Sequence, residues 1–211
     1  KTGYLNFHLI QKTLIQQKML ADTEIKVAIT VAFTALIMKA GIFPLHFWLP
    51  SAHSKADSPV SALLSGITVK VPVYGMILFL MYTSIGFLTV PLMIVAFGSI
   101  FFGIFMAIFQ TNAKKLLAYH TVSQMGIVLL AISVLDEYAA AYYVFAHALF
   151  KAGLFLGVGA LVSSHETKDL KALCFRGRKV LMVSFVVLSL AIGGISPLIG
   201  SFGKHEILTN L

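Results

Sequence analysis

Four lysines lie within or at the end of long apolar stretches, where a charged side chain is costly. They are Lys39, Lys70, Lys151 and Lys204. A lysine near the centre of a bilayer costs about 2.5–3.5 kcal/mol on insertion scales, so such residues mark a path for charge. No aspartate or glutamate lies in the middle of any of these stretches. A buried ammonium group without a counter-charge gives up its proton readily, and this chemistry suits a proton relay.

Tyr143, His147 and Lys151 follow one another at intervals of four residues. In a helix this spacing places them along one face, and stacked titratable groups predict a proton wire. The alternative is that Lys151 extends its stem to the membrane surface, but the distance to either end of its stretch is too long for a lysine side chain. His120 lies near the start of another apolar stretch, which favours a structural role over a relay role.

The stretches that must position these groups are predicted to be membrane-spanning helices. The chain is 58% hydrophobic and 11% charged, with a mean hydropathy of +0.91, which is too apolar for a soluble domain of this length. The apolar runs are continuous, without period-two alternation, so helices are the expected spanning form. Six spans of about 20 residues each are predicted, at 25–45, 59–82, 89–110, 116–135, 139–163 and 180–203.

The N-terminal segment differs from the rest. Residues 1–24 place apolar side chains among polar ones, which predicts either an interfacial amphipathic helix or a connecting loop. Residues 25–211 would then form the transmembrane domain. The chain begins with Lys1 and shows no signal peptide, so we interpret it as a fragment of a longer membrane subunit.

Two prolines are expected to interrupt the first and the sixth span. Pro44 and Pro197 each remove a backbone donor and free a carbonyl one turn earlier, and the blocks that contain them share the pattern GIxPL. Paired, proline-interrupted helices are a sequence sign of internal repeats in transporters. In the first span the freed carbonyl of Ala40 lies beside Lys39 and is expected to bind water. The alternative is that Pro44 only ends its helix before a loop.

Other polar side chains are assigned structural roles. Ser61, Ser65 and Thr68 share one face of the second span, and small or hydroxyl residues form the usual packing face of membrane helices. His46 fits an interfacial belt, and His53 is expected in a solvated loop.

Basic residues are concentrated in the loops of one membrane side. If the chain crosses six times, the loops that contain Lys55, Lys114 and residues 164–179 share a face, and the opposite loops 83–88 and 136–138 contain no lysine or arginine. By the positive-inside rule the basic face is cytoplasmic and residue 1 lies on the other side. The net charge of +8 therefore reflects topology, and no nucleic-acid partner is expected.

Redox chemistry is not expected of this chain. Cys174 is its single cysteine, which leaves no ligand set for an iron–sulfur cluster and no disulfide framework. We expect no metal and no bound cofactor.

Five blocks of sequence carry a resemblance to a known family. They are KAGIFPLHFWLP (39–50), SPVSALLSG (58–66), NAKKLLAYHTVSQMG (112–126), HALFKAGLFL (147–156) and GISPLIGSFGKHEIL (194–208). In this order they resemble the proton-conducting transporter family, which supplies antiporter-like membrane subunits of complex I, of membrane-bound hydrogenases and of Mrp-type cation/proton antiporters. The resemblance implies an all-α, polytopic helical bundle built from inverted repeats with a discontinuous helix in each, and other membrane subunits as partners. It also implies that Lys39 pairs with a glutamate on an earlier helix, which is absent from this sequence.

The predicted function is proton translocation, alone or in exchange for Na⁺, by a non-redox subunit in a prokaryotic inner membrane. The predicted pathway residues are Lys39, Lys70, His147, Lys151 and Lys204, with His120 and Tyr143 as secondary groups and Pro44 and Pro197 as helix breaks. Lys39 would be the switchable charge, Lys204 the exit-side group and the others central relays.

One alternative function is a non-conducting membrane scaffold, which four deep basic positions argue against. Another is an organic-anion transporter, which would favour arginine forks, and the predicted spans contain no arginine.

Overall fold

The structure, a computed structural model, describes residues 6–16, 22–82 and 86–209, and these are almost entirely helical. The described residues contain no strand, so the predicted all-α class is confirmed. The elements are α1 (Phe7–Gln16), α2 (Thr23–Ala40), α3 (Trp48–Lys55), α4 (Ser58–Leu63), a π turn (Leu64–Thr68), α5 (Lys70–Tyr82), a 3₁₀ turn (Gly86–Leu88), α6 (Thr89–Ile108), α7 (Ala113–Ser133), α8 (Glu137–His165), α9 (Lys179–Gly193) and α10 (Ile199–Thr209). Helix α1 falls within the predicted interfacial segment 1–24, of which residues 1–5 and 17–21 lie outside the described residues.

Four helices in the described part of the chain are long and apolar enough to cross a membrane. They are Ser58–Tyr82, Gly86–Ile108, Ala113–Ser133 and Glu137–His165, and they correspond to the second to fifth predicted spans. The predicted spans 25–45 and 180–203 are not continuous helices, because α2 ends at Ala40 and α9 ends at Gly193. The second to fifth predicted spans are therefore continuous helices, and the first and sixth are interrupted next to Pro44 and Pro197, as predicted.

The two interruptions have the same backbone geometry. Each helix ends on a left-handed glycine, Gly41 at φ +68° and Gly194 at φ +88°, a conformation that only glycine adopts without strain. In both, the N–H groups of this glycine and of the following isoleucine bond back to carbonyls of the last helical turn at distances between 3.1 and 3.3 Å, as in a Schellman cap. The chain continues through Pro44 or Pro197, each after a cis peptide bond, before α3 or α10 begins.

Helix α7 lies at the centre of the bundle, against α6. A Cβ atom added at Gly103 of α6 would lie 2.5 Å from the backbone nitrogen of Ser123, and one added at Gly126 of α7 would lie 2.9 Å from the carbonyl oxygen of Ala96. The two backbones therefore touch through glycine, as is common between membrane helices. This contact leaves the buried polar side chains of α7 facing α8.

The start of α7 is fixed by a side-chain cap. Asn112 Oδ1 accepts hydrogen bonds from the backbone nitrogens of Lys114, at 3.0 Å, and Lys115, at 3.2 Å. We expect Asn112→Ala to destabilise the full-length subunit by about 1 kcal/mol, because the first-turn donors lose their acceptor. Thermal unfolding in detergent would measure this, with Asn112→Asp as a control that keeps the acceptor. An equal loss in both variants would show that the cap is not the cause.

Candidate functional site

Helix α8 carries a fully buried stripe of titratable and aromatic side chains. Tyr143, His147, Lys151 and Phe155 are each 0% exposed, because their four-residue spacing keeps them on one face of this 29-residue helix. The Tyr143 and His147 rings are 6.4 Å apart between centroids. The structure thus brings together three of the residues that the sequence proposed for a proton wire, and it adds an aromatic ring at the end of the row.

The Lys151 ammonium group lies between two uncharged acceptors on α7. Its Nζ donates to the carbonyl oxygen of Leu117 at 2.9 Å and lies 3.0 Å from Nδ1 of His120. Neither partner is a carboxylate, so the Lys151 side chain is stabilised by the dipoles of a carbonyl group and an imidazole ring and not by an opposite charge. His120, for which the sequence favoured a structural role, is in direct contact with the central lysine.

Two further groups continue this cluster along α7 and α8. The Tyr143 hydroxyl donates to Oε1 of Gln124. Both ring nitrogens of His147 are buried and have no hydrogen-bond partner among the described residues. Buried polar atoms of this kind are where ordered water is expected in a protein interior. A water molecule beside His147 would satisfy these nitrogens. Sequence reasoning missed Gln124 because a single amide in an apolar helix carries little signal.

Lys70 reaches the bundle interior because of the π turn. It is 6% exposed, and its Nζ donates to the carbonyl oxygen of Ser65. The extra residue of the π turn rotates the rest of the helix by about 100° relative to a regular α-helix. Ser65 consequently stays buried and bonds Thr121 Oγ1 at 3.2 Å, but Thr68 is exposed. The prediction that Thr68 shares a face with the two serines was wrong for this reason.

Lys204 lies at the second break and neutralises a helix end. Its Nζ donates to the carbonyl oxygens of Ile192, at 2.8 Å, and Gly193, at 3.2 Å. These carbonyls are left without helical partners where α9 stops. A cation is also favoured there by the helix dipole. Lys204 is partly buried, as expected for a group between the interior and the edge of the bundle.

Lys39 differs from its predicted position. The sequence placed it deep in an apolar helix, but α2 ends one residue later, and the side chain is exposed on the outside of the bundle. At this break the carbonyl oxygen of Met38 accepts from the Gly41 backbone nitrogen at 3.1 Å and also from Trp48 Nε1 at 2.8 Å. The indole thus occupies a neighbouring carbonyl, and the water expected at the Ala40 carbonyl stays a prediction.

Two histidines that were assigned to the membrane surface are enclosed. His46 and His53 are both 0% exposed, contrary to the predicted interfacial belt and solvated loop. Helix α3 folds back against α7, and this packing could not be seen from the polar composition of the segment. A metal site is not indicated, since no cluster of three or more His, Cys, Asp or Glu side chains in the described residues could hold an ion. The absence of a bound cofactor stays a prediction.

A comparison with known families matches residues 1–211 to a family described as NADH:quinone oxidoreductase/Mrp antiporter, transmembrane. The chain belongs to this family. The resemblance found in the sequence motifs is thereby confirmed, and with four apolar helices the chain is an integral membrane protein.

Relatives in this family come from several kinds of membrane complex. A Na(+)/H(+) antiporter subunit from Alkalihalophilus pseudofirmus is 31% identical over 218 residues, which cover 98% of this chain and 43% of that protein. NADH-quinone oxidoreductase subunit M of Escherichia coli is 36% identical over 182 residues, which cover 81% of this chain and 36% of that protein. The chain thus spans less than half the length of these relatives.

Solved structures of membrane complexes share the fold. A chain of the Mrp complex from Dietzia sp. matches 97% of this chain with a TM-score of 0.82 at 24% identity, over 42% of its own length. A chain of the archaeal membrane-bound sulfane sulfur reductase matches 99% of this chain with a TM-score of 0.88 at 23% identity, over 44% of its own length. The fold of these chains is therefore present here.

Proposed function

We propose that this chain carries a proton pathway in an antiporter-like subunit of a multi-subunit membrane complex. The observation that carries the proposal is the Lys151 ammonium group, fully buried between the Leu117 carbonyl and the His120 ring. A buried charge without a carboxylate is expensive, and a scaffold gains nothing from it. A group that must gain and lose a proton requires such a site.

The proposed order of groups follows their positions in the bundle. Lys204, at the second break, connects the edge of the bundle to the central pair of Lys151 and His120. His147 then passes the proton through water to Lys70, which the π turn holds in the interior. Each step exchanges one proton between neighbouring nitrogen atoms or water, so no step requires a cofactor.

Lys39 is proposed as the switchable charge, with its partner outside this chain. Its exposure on the bundle surface fits a carboxylate supplied by another part of the full-length subunit or by a neighbouring subunit. Such a pair would open and close as the lysine changes its protonation state. The energy would come from a redox partner or from an ion gradient, and the relatives include subunits of both kinds of complex by name.

The test uses the full-length subunit in its purified complex, reconstituted in proteoliposomes that contain a pH-sensitive dye. We expect proton movement when the complex is driven by its electron donor or by an imposed Na⁺ gradient. Replacing Na⁺ by choline separates exchange from proton transport alone. An intact, active complex that moves no protons would contradict the proposal and favour the scaffold.

We also propose that the basic end of the bundle faces the cytoplasm. Lys168 Nζ donates to the Ser54 carbonyl at 2.7 Å, and Asn112 pairs with Asp169 in an isolated backbone bridge, so the basic loops share one end. Positive loops remain on the cytoplasmic side.

Labelling with a membrane-impermeant maleimide tests this orientation. Cys174 is exposed at the basic end, and Tyr138→Cys, in a Cys174→Ser background, places a probe at the opposite end, where Tyr138 is 81% exposed. We expect Tyr138→Cys to react in intact cells and Cys174 to react only in inverted vesicles. Labelling of both from the same side would overturn the topology.

A further inference from the structure

His53 is an enclosed histidine that the proposed pathway does not use. It is 0% exposed, and its ring stacks on Phe155 with centroids 4.3 Å apart and planes at 13°. Neither ring nitrogen has a hydrogen-bond partner among the described residues. Leaving buried polar atoms unsatisfied is costly. A phenylalanine would pack here without that cost, so the imidazole itself requires an explanation.

The His53 ring lies next to the buried stripe of α8, about one helical turn beyond Lys151. Phe155 follows Lys151 by four residues, so the stacked imidazole lies about one helical turn, or roughly 5.4 Å, further along the axis. This displacement is toward the end of α8 at His165, where the basic loops lie. The histidine is therefore the next titratable group beyond Lys151 in that direction.

Two hydroxyl groups bond to backbone carbonyls near His53 and Lys151. Ser61 Oγ lies 3.4 Å from the carbonyl oxygen of His53 and donates to it. Thr121 Oγ1 donates at 3.0 Å to the carbonyl oxygen of Leu117, which also accepts from Lys151. Ser61 therefore bonds the backbone of His53, and Thr121 shares its acceptor with the Lys151 ammonium group.

On its other side, His53 adjoins the water-exposed end of the bundle. Lys114 Nζ donates to the carbonyl oxygen of Ala56 at 2.8 Å, and Lys168 Nζ, on an exposed residue, donates to that of Ser54. Two ammonium groups from different elements therefore hold the C-terminal end of α3. His53 precedes Ser54, the first residue held in this way, and its side chain lies just inside this end of the bundle.

The surroundings of His53 disfavour a charged ring. The pKa of His53 is lowered to about 3 by burial, the largest cause, together with the positive charges of Lys151 on α8, Lys70 on α5 and Lys114 on α7. A neutral imidazole has one N–H and one lone pair, so it can accept a proton on one nitrogen and donate one from the other.

We propose that His53 transfers protons between water at the basic end of the bundle and Lys151. One proton binds to the ring nitrogen nearer Lys114 and Lys168. The proton on the opposite nitrogen then leaves toward Lys151 through water, and rotation of the ring restores the starting tautomer. The balance is one proton in and one proton out, with no redox change. This inference rests on the proposed proton pathway.

The test compares His53 variants of the full-length subunit in its complex, reconstituted in proteoliposomes. We expect His53→Ala and the polar, non-titrating His53→Gln to lower proton flux more than tenfold at normal assembled amounts. Added imidazole should restore flux at least threefold in His53→Ala, because it can occupy the vacated space and exchange protons. A packing role alone would not give such rescue.

His46→Ala is the matched control. His46 is equally buried and also has two unpartnered nitrogens among the described residues, but its ring lies against Phe43 and Phe102, away from the α8 stripe. Imidazole should leave the flux of this variant unchanged. Normal flux in His53→Gln, or no rescue of an assembled His53→Ala complex, would overturn the inference. If either of these two results is found while the wild-type complex still moves protons, only the role of His53 is contradicted and the proposed function stands. If the wild-type complex itself moves no protons, the proposed function is contradicted.

Discussion

Lys151→Met is expected to lower proton flux by about 100-fold, the scale of a lost proton-transfer group, without loss of assembly. Methionine fills the space of the lysine stem and carries no charge, so an expensive buried group is removed. The Leu117 carbonyl remains satisfied because Thr121 Oγ1 also donates to it. The amount of assembled subunit should therefore hold or rise. Flux and assembly should be measured on the same preparation of the full-length subunit in its complex.

Lys151→Arg is the matched control for charge. Arginine keeps a positive group at this position but does not release its proton in a protein, so a relay should fail in this variant as well. A structural role for the charge predicts the opposite, with the arginine active and the methionine inactive. If both variants assemble and move protons at the normal rate, Lys151 is not a relay.

Gly200→Val is expected to prevent correct folding around the second break and to reduce the assembled subunit to a small fraction of normal. A Cβ atom at Gly200 would lie 1.8 Å from the carbonyl oxygen of Ala191 and 2.9 Å from its carbonyl carbon. Backbone atoms cannot move aside as a flexible side chain can, and overpacking of a close contact costs several kcal/mol once the backbone must shift. Membrane content, measured by quantitative immunoblot, and size-exclusion profiles would report the loss.

Gly193→Ala is a suitable control for this prediction. Gly193 lies at the end of α9, close to the same break, but an added Cβ would meet nothing within 4 Å. Its assembly should match that of the wild type. Normal accumulation and transport by Gly200→Val would show that α9 and α10 do not pack as the structure places them.

The sequence predicted those features that depend on local pattern. Continuous apolar length placed the four long helices to within a few residues, because a bilayer sets the length of a crossing. Four-residue spacing placed Tyr143, His147 and Lys151 on one buried face. The shared GIxPL blocks indicated the two interruptions, where a left-handed glycine and a proline follow each other.

The features that sequence reasoning missed depend on tertiary contacts. Nothing in the composition of Leu64–Thr68 reveals a π turn, and one extra residue in that turn changes which side chains of the second span are buried. The enclosure of His53 results from α3 folding back onto α7, so a polar segment that resembled a loop became part of the interior. Lys39 was placed too deep because α2 stops earlier than its hydrophobicity suggests.

The glycine contact between α6 and α7 has a mechanical consequence. Even a methyl carbon at Gly103 would come within 2.5 Å of the Ser123 backbone nitrogen, so the two helices cannot slide or rotate against each other without collision. Ser99 Oγ strengthens this pair by donating to the Val122 carbonyl at 2.9 Å, and it also accepts from the Phe43 backbone nitrogen at the first break. We therefore expect α6 and α7 to keep their relative position while the subunit works. Any opening and closing is then expected in the broken segments that flank this pair, and Ser99 would hold the first of them to it.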